Sequence, residues 1–218
     1  MVTQKVKVHA ADLRRMEVII QVLEREYPEA ECSLYFKTPY QLLIATLLSA
    51  QCTDERVNQV TPQLFAEFPD AQHMAQAELS QIMHLIRSVN FYKNKAKAIL
   101  ETSRILVEQH SGEVPPVLSE LVKLKGVGRK TANVVLGVGF QVPSLVVDTH
   151  VGRLSRRLGF SKLKDPEKLE QFLMRVVPKK NWIRYAHLLI SHGRAVCTAR
   201  KAYCERCSIA KFCPKIGV

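Results

Sequence analysis

What the 218-residue sequence lacks already narrows its class. It has no apolar run near the ~20 residues that a membrane span requires; the strongest, Leu42–Ala50, is far too short. The start, Met1–Ala11, is polar and basic without an apolar h-region, so no secretory signal is expected. Low-complexity linkers and tandem repeats are missing, and 47% hydrophobic with 24% charged residues excludes a disordered tail. The length is enough to bury a real core in one large domain or two small ones. Cysteine is scarce until residue 197: only Cys32 and Cys52 precede it. Acidic residues are in short supply too, 20 against 32 basic ones, a net charge of +12. A basic cytoplasmic protein is expected.

The positive excess is unevenly spread. Residues 1–86 carry 7 basic and 11 acidic side chains, residues 87–149 carry 9 and 5, and residues 150–218 carry 16 and 4. An imbalance confined to one part of a folded chain points to a polyanionic partner, with nucleic acid favoured over a merely solvated basic surface.

Apolar residues recur at helical spacing almost throughout. Leu13, Met16, Ile20 and Leu23 form one stripe. Thr38-Pro39 is an N-cap and first-turn pair that opens a helix over 39–50. Thr61-Pro62 repeats that signal and predicts a break within 54–68. Further helices are expected over 79–86, 93–109, a short stretch ending near Leu124, 129–138, 149–158, 166–177 and 182–196. Only Ser144–Val147 resembles a strand, too short to build a sheet. The fold class is all-α.

Cys197, Cys204, Cys207 and Cys213 follow the pattern C-x6-C-x2-C-x5-C. Reducing surroundings argue against disulfides, so clustered thiolates suggest a soft metal centre, zinc or an iron–sulfur cluster. Structural zinc sites bring two close ligand pairs. Here there is one, Cys204/Cys207, and the wider gaps on both sides favour the larger cluster without excluding zinc. Arg200, Lys201, Arg206 and Lys211 lie between the cysteines. They suit a phosphate-facing surface, or they offset the negative charge of the thiolates. Cys32 and Cys52 read as small apolar packing residues.

Leu124-Lys125-Gly126-Val127-Gly128-Arg129-Lys130 joins two helices by a glycine-flanked turn. Such glycines permit positive φ and close backbone approach. The amides that open the next helix favour an anion, holding a phosphate without reading a base.

Leu124–Val135 (LKGVGRKTANVV), Val147-Asp148-Thr149-His150 and the terminal cysteine spacing together resemble the endonuclease III family of helix-hairpin-helix DNA glycosylases. The likeness extends through Leu48-Ser49-Ala50-Gln51 and Tyr92-Lys93-Asn94-Lys95-Ala96, and covers roughly residues 15–215. The resemblance implies a [4Fe–4S] cluster on the four cysteines. It implies two helical lobes with a DNA cleft between them. One is a six-helix barrel over 32–142 carrying the helix-hairpin-helix at about 114–139. The other is a cluster lobe made of 1–31 plus 143–218, with the cluster loop at 197–213. The implied partner is double-stranded DNA with damaged pyrimidines or abasic sites, bound by a monomer with no membrane involved, nucleoid-associated in a bacterium.

The resemblance also implies residue roles. Lys130 matches the nucleophilic lysine, although a lysine beside an arginine at a helix start is ordinarily a phosphate contact. To attack, its amine must be unprotonated, so local burial among positive neighbours is expected. Asp148 matches the catalytic aspartate and is also a natural N-cap. Gln51 matches the residue that fills the hole left by a flipped base. Phe91 stands where the family commonly has a leucine that wedges into the opposite strand. Lys125 replaces a frequent proline. Gly126, Gly128, Arg129, Arg200 and Lys201 are expected to contact DNA, and Thr149 and His150 to line or shape the site. The expected activity is a bifunctional glycosylase and AP lyase acting on oxidised pyrimidines. An adenine-specific mismatch glycosylase would lack the lysine, carry a glutamate near Ala45–Ser49 and have a further C-terminal domain. A non-catalytic or redox-sensing DNA-binding protein would have no use for both Lys130 and Asp148.

Overall fold

The computed structural model describes His9–Val218; residues 1–8, within the polar start and the expected cluster lobe, lie outside the described residues. Among the described residues there are eleven α-helices and no strand, only an isolated bridge between Cys197 and Ala202. None of the described helices is long and apolar enough to cross a membrane. The chain divides into two compact units. One is Ser33–Val142; the other joins the described residues up to Cys32 to Pro143–Val218.

In the unit formed by Ser33–Val142, helix α2 (Pro39–Ser49) is the centre, because every residue from Tyr40 to Leu48 is buried. A helix apolar on all sides cannot sit at a surface. Its neighbours are α3 (Asp54–Glu67), α6 (Tyr92–His110) and α8 (Arg129–Val134). The Thr38 hydroxyl accepts from the Gln41 amide at 3.2 Å, as the Thr-Pro signal predicts. Thr38→Ala is expected to lower unfolding stability by about 1 kcal/mol, read as a reduced midpoint in urea at unchanged slope.

The break expected at Thr61-Pro62 does not occur, and α3 runs straight through Pro62. A stronger start lies earlier. Thr53 accepts from the Arg56 amide at 3.2 Å, and Asp54 and Glu55 occupy the first turn, where the helix dipole favours acids. Burial of Val57, Val60 and Leu64 offsets the roughly 3 kcal/mol that an interior proline costs. The Thr61 hydroxyl is buried without a partner and caps nothing. Helix α4 (Ala71–Ala75), absent from the sequence reading, is nucleated by Asp70, which accepts from the His73 amide at 2.9 Å. Glu78 and Gln81 form a reciprocal cap that opens α5 (Leu79–Leu85). Helix α7 (Leu118–Leu121) is short, and α8 passes into a π-helical turn, Val135–Gly139, so the single helix expected over 129–138 is split.

The other unit packs α1 (Ala10–Glu26), α9 (Thr149–Arg157), α10 (Pro166–Val176) and α11 (Trp182–Ala195). Its core includes Met16, Ile19, Leu23, Leu154, Leu173 and Leu189. Ser144–Val147 pairs with no described strand; Ser144 and Leu145 are buried. After α11 the cysteine segment is irregular, with two short 3-10 turns at Cys204–Arg206 and Ala210–Phe212.

Candidate functional site

The glycine turn joins α7 to α8 as expected, and its two glycines do different work. Gly126 has φ of +75°, and a Cβ there would stand 3.3 Å from both Ala98 Cβ and Leu47 Cδ2. The turn is therefore seated on α6 and α2. Thr102 on α6, fully buried, donates to the Lys125 carbonyl at 3.0 Å. Gly128 is exposed, has an ordinary φ of −86°, and has nothing within 4 Å of where a Cβ would be. The fold does not require glycine there; the space is open to something from outside.

Arg129 and Lys130 are the first residues of α8. Arg129 is half-buried and Lys130 exposed, so the burial expected around the lysine is not found. The reason is local: a six-residue helix that begins at the hairpin tip presents its first turn to solvent.

Gln51 and Phe91 are both exposed, Phe91 at 62%. Both adopt the left-handed region, with φ of 54° and 58°, which residues other than glycine rarely enter. Gln51 follows the end of α2, and Phe91 stands at the N-cap of α6. Their loops are adjacent: Asn90 Nδ2 donates to the Gln51 carbonyl at 2.7 Å. The ammonium of Lys95, only 7% exposed, donates to the carbonyls of Leu48 and Ala50 at 2.7 and 2.6 Å. Burial pushes the pKa of Lys95 down, against the thiol of Cys52 nearby. Asn90 carries no sequence signal, and Lys95 stands within the Tyr92–Ala96 motif without a role of its own. A signal existed for Lys95, which lies four residues before Ile99 on the buried side of α6.

Asp148 caps α9, accepting from the Val151 amide at 2.8 Å. Its carboxylate is half-buried and held by the helix start, as the N-cap reading requires. Thr149 is exposed and His150 half-buried. Arg153 lies one turn on: its Nη2 is 3.1 Å from His150 Nδ1 and donates to the carbonyls of Gly193 and Cys197, both at 3.0 Å. Gly193 lets His150 and Arg153 lie close against α11, since a Cβ there would stand 2.7 Å from His150 Nδ1 and 2.9 Å from Arg153 Nη2 and displace them. One arginine thus ties the helix capped by Asp148 to the first cysteine. Asp148 and His150 belong to the unit with the cysteines, and Lys130, Gln51 and Phe91 to the other.

Cys197, Cys204, Cys207 and Cys213 line a single cavity whose lining contains no aspartate or glutamate. Among the described residues, no three His, Cys, Asp or Glu side chains are grouped for a metal ion. Arg157 Nη1 donates to Cys197 Sγ at 3.2 Å, and the Lys215 amide to Cys213 Sγ at 3.3 Å. His192, 1% exposed, places Nε2 at 3.4 Å from Cys207 Sγ and Nδ1 at 3.0 Å from the Tyr27 hydroxyl. Burial pushes the Cys207 thiol up to about 11 and raises that of Cys213. Thiolates so placed need a cation beside them. Four cysteines around one cavity free of carboxylates, with N–H donors to Cys197 and Cys213, have the donor chemistry of a soft metal centre, although the sulfurs are not grouped on one ion.

Arg200, Lys201, Arg206 and Lys211 are all exposed. Lys201 and Arg206 flank the Tyr203 ring at 4.9 and 4.5 Å, and Arg206 donates to the Ala195 carbonyl at 3.0 Å, closing the end of α11. Cys32 and Cys52, expected as small packing residues, are half-buried, and both lie in the segments that flank α2.

Comparison with known proteins agrees with this architecture. Residues 44–179 match the family model of the HhH-GPD superfamily base excision DNA repair proteins. The chain is 50% identical to the endonuclease III of Synechocystis sp. over 206 residues, 94% of each chain. It is 43% identical to that of Bacillus subtilis over 203 residues, 93% of each. A solved structure described as a trapped endonuclease III–DNA covalent intermediate, an estranged-adenine complex, superposes with a TM-score of 0.88 at 38% identity, over 99% of this chain and 97% of that one. On fold and sequence alike, this chain belongs to the endonuclease III family within the HhH-GPD superfamily of base excision DNA repair proteins.

Proposed function

We propose that this chain excises oxidised pyrimidines from duplex DNA and then cleaves the strand 3′ to the resulting abasic site. One observation carries the reading. Lys130 stands exposed in the first turn after a glycine hairpin, in a chain that aligns along almost its whole length with an endonuclease III captured in a covalent DNA intermediate.

The target nucleotide must leave the stack before any residue can reach C1′. The Lys130 amine, unprotonated, attacks C1′; the N-glycosidic bond breaks, and the base departs with its electron pair and takes a proton. The sugar ring then opens, O4′ takes up a proton, and a Schiff base joins Nζ to C1′. The iminium acidifies the 2′ hydrogen. Loss of that proton expels the 3′ phosphate, and water releases the lysine. The Asp148 carboxylate is held in place by the Val151 amide of α9. It stabilises the positive charge that develops on the sugar, or accepts the lysine proton.

Gln51 fills the vacated base position and Phe91 wedges into the opposite strand, its ring stacking in the gap. Gly126, Gly128 and Arg129 meet phosphate at the hairpin, and Arg200 and Lys201 meet it beside the cysteines. His150 shapes the surroundings of Asp148. Cys197, Cys204, Cys207 and Cys213 would hold a [4Fe–4S] cluster, which supplies a cross-link across the irregular segment 197–213. The protein acts as a monomer in the cytoplasm.

Sodium borohydride with abasic-site DNA tests the chemistry. A covalent protein–DNA adduct and nicking of the same substrate are expected; absence of both from the wild type rejects the lyase. The hairpin makes its own prediction. Gly128→Ala should leave the melting temperature unchanged, because a Cβ meets no protein atom. The methyl group should nevertheless keep phosphate off the backbone and weaken duplex binding by roughly 10-fold, the worth of about one charge-assisted hydrogen bond. Unchanged affinity in a fluorescence anisotropy titration would remove phosphate from Gly128.

A further inference from the structure

The two loops that carry Gln51 and Phe91 are tied together by side chains to which no role has so far been given. We propose that Asn90 and Lys95 are positioning residues that lock Gln51 and Phe91 into one rigid two-pronged element. Gap filling and strand wedging then happen as a single event. The inference rests on the reading of Gln51 and Phe91 as DNA-inserting residues.

The backbone itself calls for such a tie. Gln51 and Phe91 hold φ values of 54° and 58°, a conformation that costs free energy for residues with a Cβ. Both are exposed, so burial of their own side chains does not impose it. The polar ties converge from α6 and the residue that precedes its cap. Asn90 Nδ2 donates to the Gln51 carbonyl at 2.7 Å, a direct bond from one loop to the other. Lys95 holds both at once: its backbone amide donates to the Phe91 carbonyl at 3.1 Å, and its ammonium to the Ala50 carbonyl at 2.6 Å and the Leu48 carbonyl at 2.7 Å.

These are the carbonyls at the end of α2, where a cation is favoured by the helix dipole. A lysine is seldom buried unless it is paired. Here the partners are the backbone oxygens that fix the direction in which the chain leaves α2. Ser49 and Cys52 complete the turn, the Ser49 hydroxyl donating to the Thr46 carbonyl at 2.8 Å and the Cys52 amide to the Ser49 carbonyl at 3.1 Å. Inserting two side chains into a duplex immobilises both loops, and that entropy is lost before binding if the loops are already fixed. The clamp therefore acts on base extrusion, not on the lysine chemistry.

The test separates those two steps. Asn90→Ala and Asn90→Asp remove the donor from an exposed side chain, and both should fold with an unchanged melting temperature. Each variant is assayed on a damaged pyrimidine in duplex DNA and on a preformed abasic site in single-stranded DNA, where nothing is flipped and no opposite strand is wedged. Excision from the duplex should fall roughly 10-fold, in keeping with the cost of a misplaced positioning group. Single-strand strand cleavage and borohydride trapping should stay within about 2-fold. Asn90→Asp should be the more severe, because its carboxylate faces the Gln51 carbonyl. Lys95→Met should lower the same ratio; if it fails to fold, the Asn90 pair still decides.

A wild-type ratio in both Asn90 variants overturns the clamp. Gln51→Ala and Phe91→Ala distinguish the reason. If they reduce duplex excision while the Asn90 variants do not, the clamp alone is wrong. If they too leave it unchanged, the assignment of the two prongs is wrong and the clamp goes with it. Coupling is the remaining signature: Asn90→Ala combined with Gln51→Ala should lose little more than Gln51→Ala alone, since both act on one element. Full additivity would overturn the proposal.

Discussion

Lys130→Gln is expected to abolish the borohydride-trapped adduct and to reduce strand cleavage at abasic sites by roughly 10³-fold or more, as removal of a covalent nucleophile does. Glutamine keeps much of the length and polarity of the side chain but has no amine to form a Schiff base. Lys130 is exposed in the first turn of α8, so the variant should melt with the wild type and retain duplex affinity within a few-fold. A folded variant that still traps covalently would move the nucleophile to another amine. Asp148 supplies the matching contrast. In Asp148→Asn the amide oxygen would still accept from the Val151 amide, since asparagine caps helices as well as aspartate does, whereas Asp148→Ala would lose about 1 kcal/mol of stability. Asp148→Asn should therefore lower excision sharply in a protein of normal stability, and Asp148→Ala should lower both. If the asparagine variant is fully active, Asp148 is only a cap.

Replacing Cys207 with alanine is expected to be the most disruptive single change in the other unit. The segment 197–213 has little apolar anchorage: Ile209 is its only fully buried hydrophobic residue, and the two 3-10 turns span three residues each. Bonds from Arg157, His192 and the Lys215 amide converge on its sulfurs, beside backbone ties from Arg15 to Phe212, Arg157 to Thr198 and Arg153 to Cys197. Loss of one thiolate ligand should leave a colourless protein without the broad visible absorbance of an iron–sulfur chromophore. Trypsin should then cut at Arg200, Lys201, Arg206 or Lys211 at least roughly 10-fold faster than in wild type, because local opening governs such cleavage. Duplex affinity should fall with it, since Lys201, stacked on Tyr203, loses its fixed position. A colourless wild type containing stoichiometric zinc would reject the cluster assignment instead.

Periodicity located most of the longer helices because it records which faces need burial. Of the stripe Leu13, Met16, Ile20 and Leu23, the last three are buried as spaced while Leu13, in the first turn of α1, is exposed; Thr38 and Asp148 are caps where their side chains suggested. Thr61-Pro62 misled because a local start signal has meaning only if no better one stands upstream; Thr53-Asp54-Glu55 does. The short α4 had too few residues to show a period and depends on the Asp70 cap.

The four cysteines, the glycine hairpin and the Asp148 cap were legible in the chain because each is compact in sequence, its members within a few residues of one another. Three-dimensional packing alone revealed what spans long separations. Lys95 reaches back 47 residues to Leu48, Asn90 reaches 39 to Gln51, and Arg153 reaches 44 to Cys197. Each donates to a backbone carbonyl, a partner that every residue type offers alike, so no pattern of side chains could have announced the pairing. Residue types and spacing set which chemistry the chain can carry. Backbone-directed hydrogen bonds over long separations set where the loops of Gln51 and Phe91, and the helix capped by Asp148, are held.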